Sequence, residues 1–188
     1  MVGVIGQRGY GHAELVFEDC RVRSDKIMGE FGEGFRLIMN TVAAVRLAHI
    51  GARSVGMASR VLELARNHAN ERQQFGQPIG QFQMVQQMLA DMATDIFATR
   101  MMVLNTAWEI DQNREARDKV SMVKLFASEM IGRVADMGVQ IFGGMGYAKE
   151  MPIERIYRDS RVLRIYDGTS EIHRMLIARS VLRNGFEP

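Results

Sequence analysis

Residues 123–141, Val-Lys-Leu-Phe-Ala-Ser-Glu-Met-Ile-Gly-Arg-Val-Ala-Asp-Met-Gly-Val-Gln-Ile, have the clearest periodicity in the chain. Apolar side chains recur along this stretch at steps of three and four residues, at Val123, Ala127, Met130, Val134, Met137 and Ile141. Because an α-helix has about 3.6 residues per turn, this spacing places them on one face. The stretch therefore predicts a long helix with one buried face, which the glycines at positions 143, 144 and 146 end.

Further helices are expected on both sides of this stretch. Residues 35–70 contain no proline, which favours one helix roughly 50 Å long. After a break at residues 77–80, another helix continues to about Asn113. Its apolar stripe comprises Phe82, Val85, Leu89, Met92, Ile96 and Val103. Shorter helices are predicted at residues 152–159 and 169–183. Long helices joined by short loops predict a mainly α protein, an antiparallel up-and-down four-helix bundle.

Residues 12–22 are the one segment with strand character. Polar and apolar side chains alternate there, and the β-branched content predicts one or two short strands. So few strands do not form an independent sheet. We therefore expect them to pair with strands that the chain does not obviously contain, or to pack on the helices.

Composition gives no support to several classes of function. The 188 residues carry a net charge of +2 without a long basic run, which gives no indication of binding to nucleic acid or an anionic membrane. The single cysteine, Cys20, excludes an internal disulfide and a CxxC metal site, so no metal is expected and a reducing, cytoplasmic compartment is favoured. The apolar stretches are interrupted by charges, so we expect no membrane span or signal peptide.

Four segments occur in the order, and at nearly the spacing, found in one enzyme family. They read Glu71-Arg72-Gln73-Gln74-Phe75-Gly76-Gln77-Pro78-Ile79-Gly80-Gln81-Phe82-Gln83, Gln140-Ile141-Phe142-Gly143-Gly144-Met145-Gly146-Tyr147, Arg158-Asp159-Ser160-Arg161 and Ile165-Tyr166-Asp167-Gly168-Thr169-Ser170-Glu171-Ile172. Together they make the chain resemble the C-terminal portion of acyl-CoA dehydrogenases. A complete subunit of that family has a helical domain, a central β-domain and then a helical bundle. The resemblance implies that residues 1–33 are a remnant of the β-domain and residues 34–188 the bundle.

The resemblance implies FAD as the cofactor. The positions that it assigns to FAD are Arg72, Gln74, Phe75, Gln83, Gln140, Gly144, Thr169 and Glu171. Arg72 would pair with the pyrophosphate, for which the planar guanidinium is suited. Gln140 and Gly144 would reach the cofactor of a symmetry-related subunit. For Thr169 a plain helix N-cap is the competing interpretation.

Asp167 stands where the family has its catalytic base. That base removes the α-proton of an acyl-CoA thioester while the flavin accepts a hydride from the β-carbon. The family preferentially has glutamate at this position, so the carboxylate here lies on the order of 1 Å further back. Three interpretations remain open: a branch of the family that uses aspartate, a nitroalkane oxidase-like base, or an inactive site in which Asp167 only caps the following helix.

The resemblance assigns the acyl-CoA substrate to Arg46, Tyr166 and Gly168. The spacing from Arg46 to Gly56 is one residue longer than is usual in the family. The alternative base of isovaleryl-type members, a glutamate just before this arginine, is absent because Val45 stands there. Among the histidines, His49 is the best candidate for a functional role, since it is expected to face the same cleft as Arg46.

Two hypotheses for the whole chain follow from the resemblance. The chain is either the base-bearing part of an FAD-dependent acyl-CoA dehydrogenase or a truncated, non-catalytic helical assembly module. Expected partners are an acyl-CoA substrate, further copies of the chain in a dimer or tetramer, a chain supplying the missing N-terminal half, and an electron-transfer flavoprotein as acceptor. The sequence does not reveal the acyl specificity.

Overall fold

The computed structural model of the chain describes residues 3–9 and 12–186, at positions 40, 43 and 44 through the backbone alone. The ends of the two expected domains, at residues 1–2 and 187–188, lie outside the described residues, as do residues 10–11. The α-helices are α1 Gly34–Arg46, α2 Arg53–Glu71, α3 Gln83–Asp111, α4 Arg117–Phe142, α5 Pro152–Ser160 and α6 Ser170–Asn184. The mainly α fold class is confirmed.

The helix expected at residues 35–70 forms one continuous run with a wider turn inside it. Helices α1 and α2 are joined without a break by a π-helical segment, Leu47–Ala52. Its Gly51 is buried, and a Cβ there would lie 2.8 Å from Val123 Cγ1 and 3.0 Å from Val103 Cγ2. A π turn is wider than an α turn, since its hydrogen bonds join residues i and i+5.

Neighbouring long helices run antiparallel. The end of α2 lies beside the start of α3, where a Cβ on Gly80 would lie 3.1 Å from the Ala69 carbonyl. Arg133 of α4 binds Asp95 in the middle of α3 at 2.8 Å. Ser170 at the start of α6 donates to Glu129 at mid-α4 at 2.7 Å. Lys119 at the start of α4 binds Glu109 near the end of α3 at 2.6 Å, and Ser180 late in α6 donates to Asp118 early in α4. Both pairs of helices are therefore antiparallel, and the antiparallel bundle is confirmed.

Helix α4 is the central element, because α2, α3, α5 and α6 all pack on it. The periodicity of residues 123–141 correctly predicted its buried face. The members of that stripe that are at most 5% exposed are Val123, Ala127, Met130, Val134 and Ile141. Helix α4 thus provides the surface on which the other helices are positioned.

The prediction of strands at residues 12–22 is wrong. Within the described part of the chain this segment is irregular, its side chains are exposed, and Asp19 has a positive φ of 46°. An extended segment forms a strand only where a second strand takes up its main-chain hydrogen bonds. The described residues offer this segment no such partner.

The described residues form a single small strand pair, which the sequence did not predict. Strands β1 Gln73–Gln74 and β2 Gln77–Pro78 are antiparallel. Phe75 and Gly76 form the turn between them, both with positive φ. This hairpin projects beyond the end of α2 and connects it to α3.

No helix in the described ranges is long and apolar enough to cross a membrane.

Two helical glycines provide a test of the packing. A Cβ on Gly138 of α4 would lie 2.6 Å from Val61 Cγ1 of α2, whereas a Cβ on Gly56 of α2 would meet nothing within 4 Å. We expect Gly138→Ala to lower the free energy of unfolding by about 1–3 kcal/mol, since a packed core resists added volume. Gly56→Ala, the matched control, should raise it by ~0.5–1 kcal/mol. Urea denaturation measures both, and equal effects would contradict the close approach of α2 and α4.

Candidate active site

The turn before α6 holds Asp167 in an unusual backbone conformation. Asp167 has φ +57° and Gly168 has φ +94°. A positive φ is uncommon for a residue with a side chain, and aspartate tolerates it better than most. Thr169 then caps α6, and its hydroxyl oxygen accepts a hydrogen bond from Ile172 N at 3.3 Å. The N-cap role of Thr169 is therefore present in the structure.

Two side chains from different helices hold the main-chain carbonyl of Asp167. Arg46 Nε donates to this oxygen at 2.8 Å, and His173 Nε2 lies 3.2 Å from it. A carbonyl only accepts, so His173 carries its proton on Nε2. His173 is fully buried, and burial lowers its pKa, opposed by the hydrogen bond to Asp167. The two contacts fix the turn to α1 and α6.

The Asp167 carboxylate is partly accessible and paired with a histidine. Asp167 Oδ2 lies 3.2 Å from His49 Nδ1, and the aspartate side chain is 23% exposed. The other ring nitrogen of His49, Nε2, lies 3.4 Å from Arg53 Nη1. Arg53 also donates to the Tyr166 hydroxyl at 3.3 Å, and the His49 ring meets the Tyr166 ring edge-on. His49 thus contacts the carboxylate of Asp167 directly, and Arg53 and Tyr166 contact His49.

Helix α4 packs beneath this turn and contacts it. Glu129 accepts a hydrogen bond from the buried Ser170 and pairs with Arg164 at 3.4 Å. One turn earlier, Lys124 is fully buried, and its Nζ has no hydrogen-bond partner among the described residues. Burial lowers the pKa of Lys124 to about 8, while the negative charge of Asp167 opposes the shift.

Sequence reasoning missed Lys124, although a lysine beside an apolar stripe is a visible signal. An unpaired ammonium is costly to bury. Its position beneath the candidate base therefore supports the interpretation of this region as a functional site. Sequence reasoning also gave little weight to His173. This residue follows Asp167 by six positions, and its place on α6 brings its ring to the Asp167 carbonyl.

Glu171 takes part in capping its own helix. Its pKa is lowered, chiefly by its own main-chain N–H and by the Thr169 hydroxyl. A carboxylate at a helix N-terminus is favoured by the helix dipole. The side chains of Thr169 and Glu171 are therefore both engaged at the start of α6.

A groove rich in arginine lies beside the turn. It encloses about 480 Å³ and is bordered by α1, α4 and α6. Its arginines are Arg46, Arg117, Arg179 and Arg183. Guanidinium groups bind phosphate oxygens in a fixed geometry, so the groove suits an anionic, phosphorylated ligand.

A second group of predicted residues lies at the end of the bundle where α2 and α4 finish. Arg72 is the C-cap of α2, Gln74 belongs to β1 and Gln83 begins α3. Phe75 is 93% exposed on the hairpin turn, with φ +52°. We name this set, together with Gln140 and Gly144, the hairpin cluster.

Contacts between α2 and α4 bring the members of the hairpin cluster to one end of the bundle. His68 stacks on Phe142 with ring centroids 4.2 Å apart, which joins the ends of α2 and α4. Gln140 is on the last turn of α4, and Gly144 follows it in a 3₁₀ turn. A Cβ on Gly143 or Gly144 would meet nothing within 4 Å, so the main chain there is open to a ligand.

The structure thus separates the predicted site into two places. Arg46, Tyr166, Gly168, Thr169 and Glu171 lie at or beside the Asp167 turn, which rests on Glu129. The hairpin cluster lies by Phe142, which is 13 residues, or roughly 20 Å, further along α4. Only an elongated ligand, or two ligands, could engage both places on one chain.

Comparison with known proteins identifies relatives along nearly the whole chain. The family model for the acyl-CoA dehydrogenase C-terminal domain matches residues 32–182. The probable acyl-CoA dehydrogenase YngJ of Bacillus subtilis is 44% identical over 179 residues, which are 95% of this chain and 47% of that protein. The chain thus spans about half the length of the curated relatives it matches.

Solved structures agree with this similarity. Butyryl-CoA dehydrogenase from Megasphaera elsdenii superposes with a TM-score of 0.86 at 35% identity, over 89% of this chain and 44% of that chain. A structure described as PigA with FAD and proline has a TM-score of 0.84 at 30% identity, over 88% of this chain and 43% of that chain.

The buried Lys124 predicts a distinct pH dependence of stability. Because its pKa is about 8 in the folded chain and 10.5 ordinarily, the unfolded chain binds more protons between these values. The free energy of unfolding should therefore rise as the pH increases from 8 to 10.5. This gain is lost again when the pH falls back through 8. Lys124→Met should abolish this rise and stabilise the chain at pH 7 by ~1–3 kcal/mol.

Chemical denaturation at several pH values, with a probe that reports global unfolding, measures this effect. Lys149→Met, at an exposed position outside the helices, is the matched control and should leave the pH dependence unchanged. A Lys124→Met chain that is less stable than the parent at pH 7 would contradict the account of an unpaired buried amine.

Proposed function

Because the chain belongs to the acyl-CoA dehydrogenase family through its C-terminal domain, we propose that it carries the catalytic base and part of the FAD site of an FAD-dependent acyl-CoA dehydrogenase. The observation that carries this proposal is the Asp167 turn. Its main chain is fixed by Arg46 and His173, while its carboxylate remains partly accessible. A general base needs this combination of fixed position and access to substrate.

Asp167 acts in this proposal by accepting the α-proton of the acyl-CoA thioester. Its Oδ2 is engaged by His49, and its Oδ1 has no hydrogen-bond partner within the described ranges. Oδ1 is therefore the oxygen available to take the proton. In this proposal the chain belongs to a branch of the family that uses aspartate as the base. The partly accessible carboxylate supports this, since a purely capping role would not require access.

The phosphates of coenzyme A fit the arginine groove. Arg46 borders this groove and also holds the Asp167 carbonyl, so the groove and the base share one residue. A substrate anchored by its phosphates in the groove would have its acyl end directed toward the turn at Tyr166 and Gly168. Binding energy from the phosphates would then orient the thioester at the base.

The residues of the hairpin cluster fit the adenine and pyrophosphate end of FAD. Arg72 supplies a guanidinium, the exposed Phe75 supplies an aromatic face, and the open main chain at Gly144 permits close approach. Gln74, Gln83 and Gln140 supply amide groups. Bound FAD supplies the acceptor for the hydride that leaves the β-carbon.

Thr169 and Glu171 are proposed to meet FAD at the start of α6. Since the hairpin cluster lies roughly 20 Å further along α4, we assign the two places to cofactors of different subunits in a dimer or tetramer. This arrangement makes assembly a requirement for a complete site.

Three further proposals concern the surroundings of the chain. Residues 1–33 would be the end of a β-domain and residues 34–188 the bundle, with a further polypeptide segment supplying the groups that hold the flavin ring. An electron-transfer flavoprotein would accept the electrons. The free, exposed Cys20 suits a reducing cytoplasm.

Reconstitution with FAD tests the proposed function. The chain should take up FAD, seen as a flavin absorption band that remains after gel filtration, and an acyl-CoA should bleach that band. Asp167→Asn should retain FAD and lower the bleaching rate at least about a hundredfold, since the amide does not accept the proton. Asp111→Asn, an exposed position at the end of α3, is the matched control.

The alternative hypothesis predicts a different outcome. A folded, colourless chain that takes up no FAD would favour the non-catalytic assembly module. Bleaching by nitroalkanes instead of acyl-CoA would favour the nitroalkane oxidase-like interpretation. Bleaching that is unchanged in Asp167→Asn would remove Asp167 from the mechanism.

A further inference from the structure

The π-helical segment presents a histidine to the candidate base. Arg46, His49 and Arg53 are spaced by three and four residues and contact the turn at residues 166–167, directly or through one another. On the opposite side of the segment, Ile50 and Gly51 are buried, and Gly51 fits against Val123 and Val103. One side of the segment is thus anchored in the core while the other faces Asp167. Such π turns are frequent at functional sites.

The neighbours of His49 determine which of its nitrogens carries the proton. Arg53 has only donor groups, so His49 Nε2, 3.4 Å from Arg53 Nη1, must be the acceptor. The proton of a neutral His49 therefore lies on Nδ1, which faces Asp167 Oδ2 at 3.2 Å. Arg53 therefore donates to His49, and His49 in turn donates to the carboxylate of Asp167.

We propose that His49 is a positioning residue for the Asp167 carboxylate, which it holds through Nδ1–H so that Oδ1 is presented to the substrate. This inference rests on the proposed role of Asp167 as the base. A fixed partner matters more for aspartate than for glutamate here, because the shorter side chain leaves the carboxylate on the order of 1 Å further from the substrate. In the proton transfer, the C–H bond of the α-carbon breaks and an O–H bond forms at Oδ1. His49 keeps its own proton throughout.

Tyr166 and Arg53 restrict the imidazole itself. The Tyr166 ring meets the His49 ring edge-on, with centroids 5.2 Å apart, and Arg53 Nη1 donates to the Tyr166 hydroxyl at 3.3 Å. Arg53 therefore contacts both rings, which fixes the plane in which Nδ1–H can point. A histidine restrained in this way orients its partner more precisely than a free side chain on the surface.

Two substitutions at His49 separate positioning from simple packing. The Asn amide nitrogen lies at about the same distance from the main chain as His Nδ1, so His49→Asn keeps a donor toward Asp167, whereas His49→Leu removes it. In the FAD-loaded chain, we expect His49→Leu to slow flavin reduction at saturating acyl-CoA by roughly tenfold to a hundredfold. His49→Asn should recover most of that rate, and both variants should bind acyl-CoA within about twofold of the parent.

Nuclear magnetic resonance provides a readout that does not depend on activity. In the chain without FAD, the neutral form of the His49 ring should carry its proton on Nδ1 and have a bare Nε2. The carboxylate carbon resonance of Asp167 should move in His49→Leu and stay near its parent position in His49→Asn. His12→Leu, far along the chain in the exposed N-terminal segment, is the control.

The outcomes distinguish this inference from the proposed function. A proton on Nε2, or an Asp167 resonance unaffected by His49→Leu, would overturn the role of His49 whatever the activity. Equal rates in the Leu and Asn variants would overturn it as well. If the parent chain shows no acyl-CoA-dependent reduction, the proposed function fails, while the resonance data still decide whether His49 holds Asp167.

Discussion

The main-chain carbonyl of Asp167 is the point at which three helices meet. Arg46 reaches it from α1, His173 reaches it from α6, and the turn itself rests on Glu129 of α4 through Ser170. These contacts hold a residue with a side chain at positive φ, which an isolated peptide would rarely adopt. The candidate base is therefore positioned through its backbone, and its carboxylate remains available for chemistry.

This arrangement has a cost in stability that is visible at Lys124. A fully buried amine without a hydrogen-bond partner among the described residues opposes folding, yet it lies beneath the turn that bears the candidate base. Asp167, Glu129 and Glu171 all attract its positive charge. Functional sites commonly retain such unfavourable groups, and the surrounding core of α4 offsets their effect.

The parts of the structure that were predictable are those determined by local sequence. The 3–4 spacing from Val123 to Ile141 predicted α4, and the helix expected at residues 169–183, with Thr169 as a possible N-cap, corresponds to α6. Residues 12–22 alternate like a strand, but a strand depends on a partner elsewhere, so local pattern was not sufficient. The π segment was not predicted, because residues 35–70 have the pattern of one regular helix.

The contacts within the candidate site were less predictable. His49 and Asp167 are 118 residues apart in the sequence, and no local pattern reports their approach. The resemblance placed only Gln140 and Gly144 at the cofactor of a symmetry-related subunit. The fold groups these two with Arg72, Gln74, Phe75 and Gln83 in the hairpin cluster and divides this cluster from the Asp167 turn. That division depends on how far α4 extends between Glu129 and Phe142, which only the assembled bundle defines.

The central claim is that Asp167 removes the α-proton of an acyl-CoA, and proton exchange tests it most directly. The FAD-loaded chain is incubated with butyryl-CoA in deuterated water, and deuterium at the α-carbon is measured by mass spectrometry. The account predicts incorporation with the parent chain and none above background with Asp167→Asn. Equal incorporation with both chains would contradict it, because another group would then be the base.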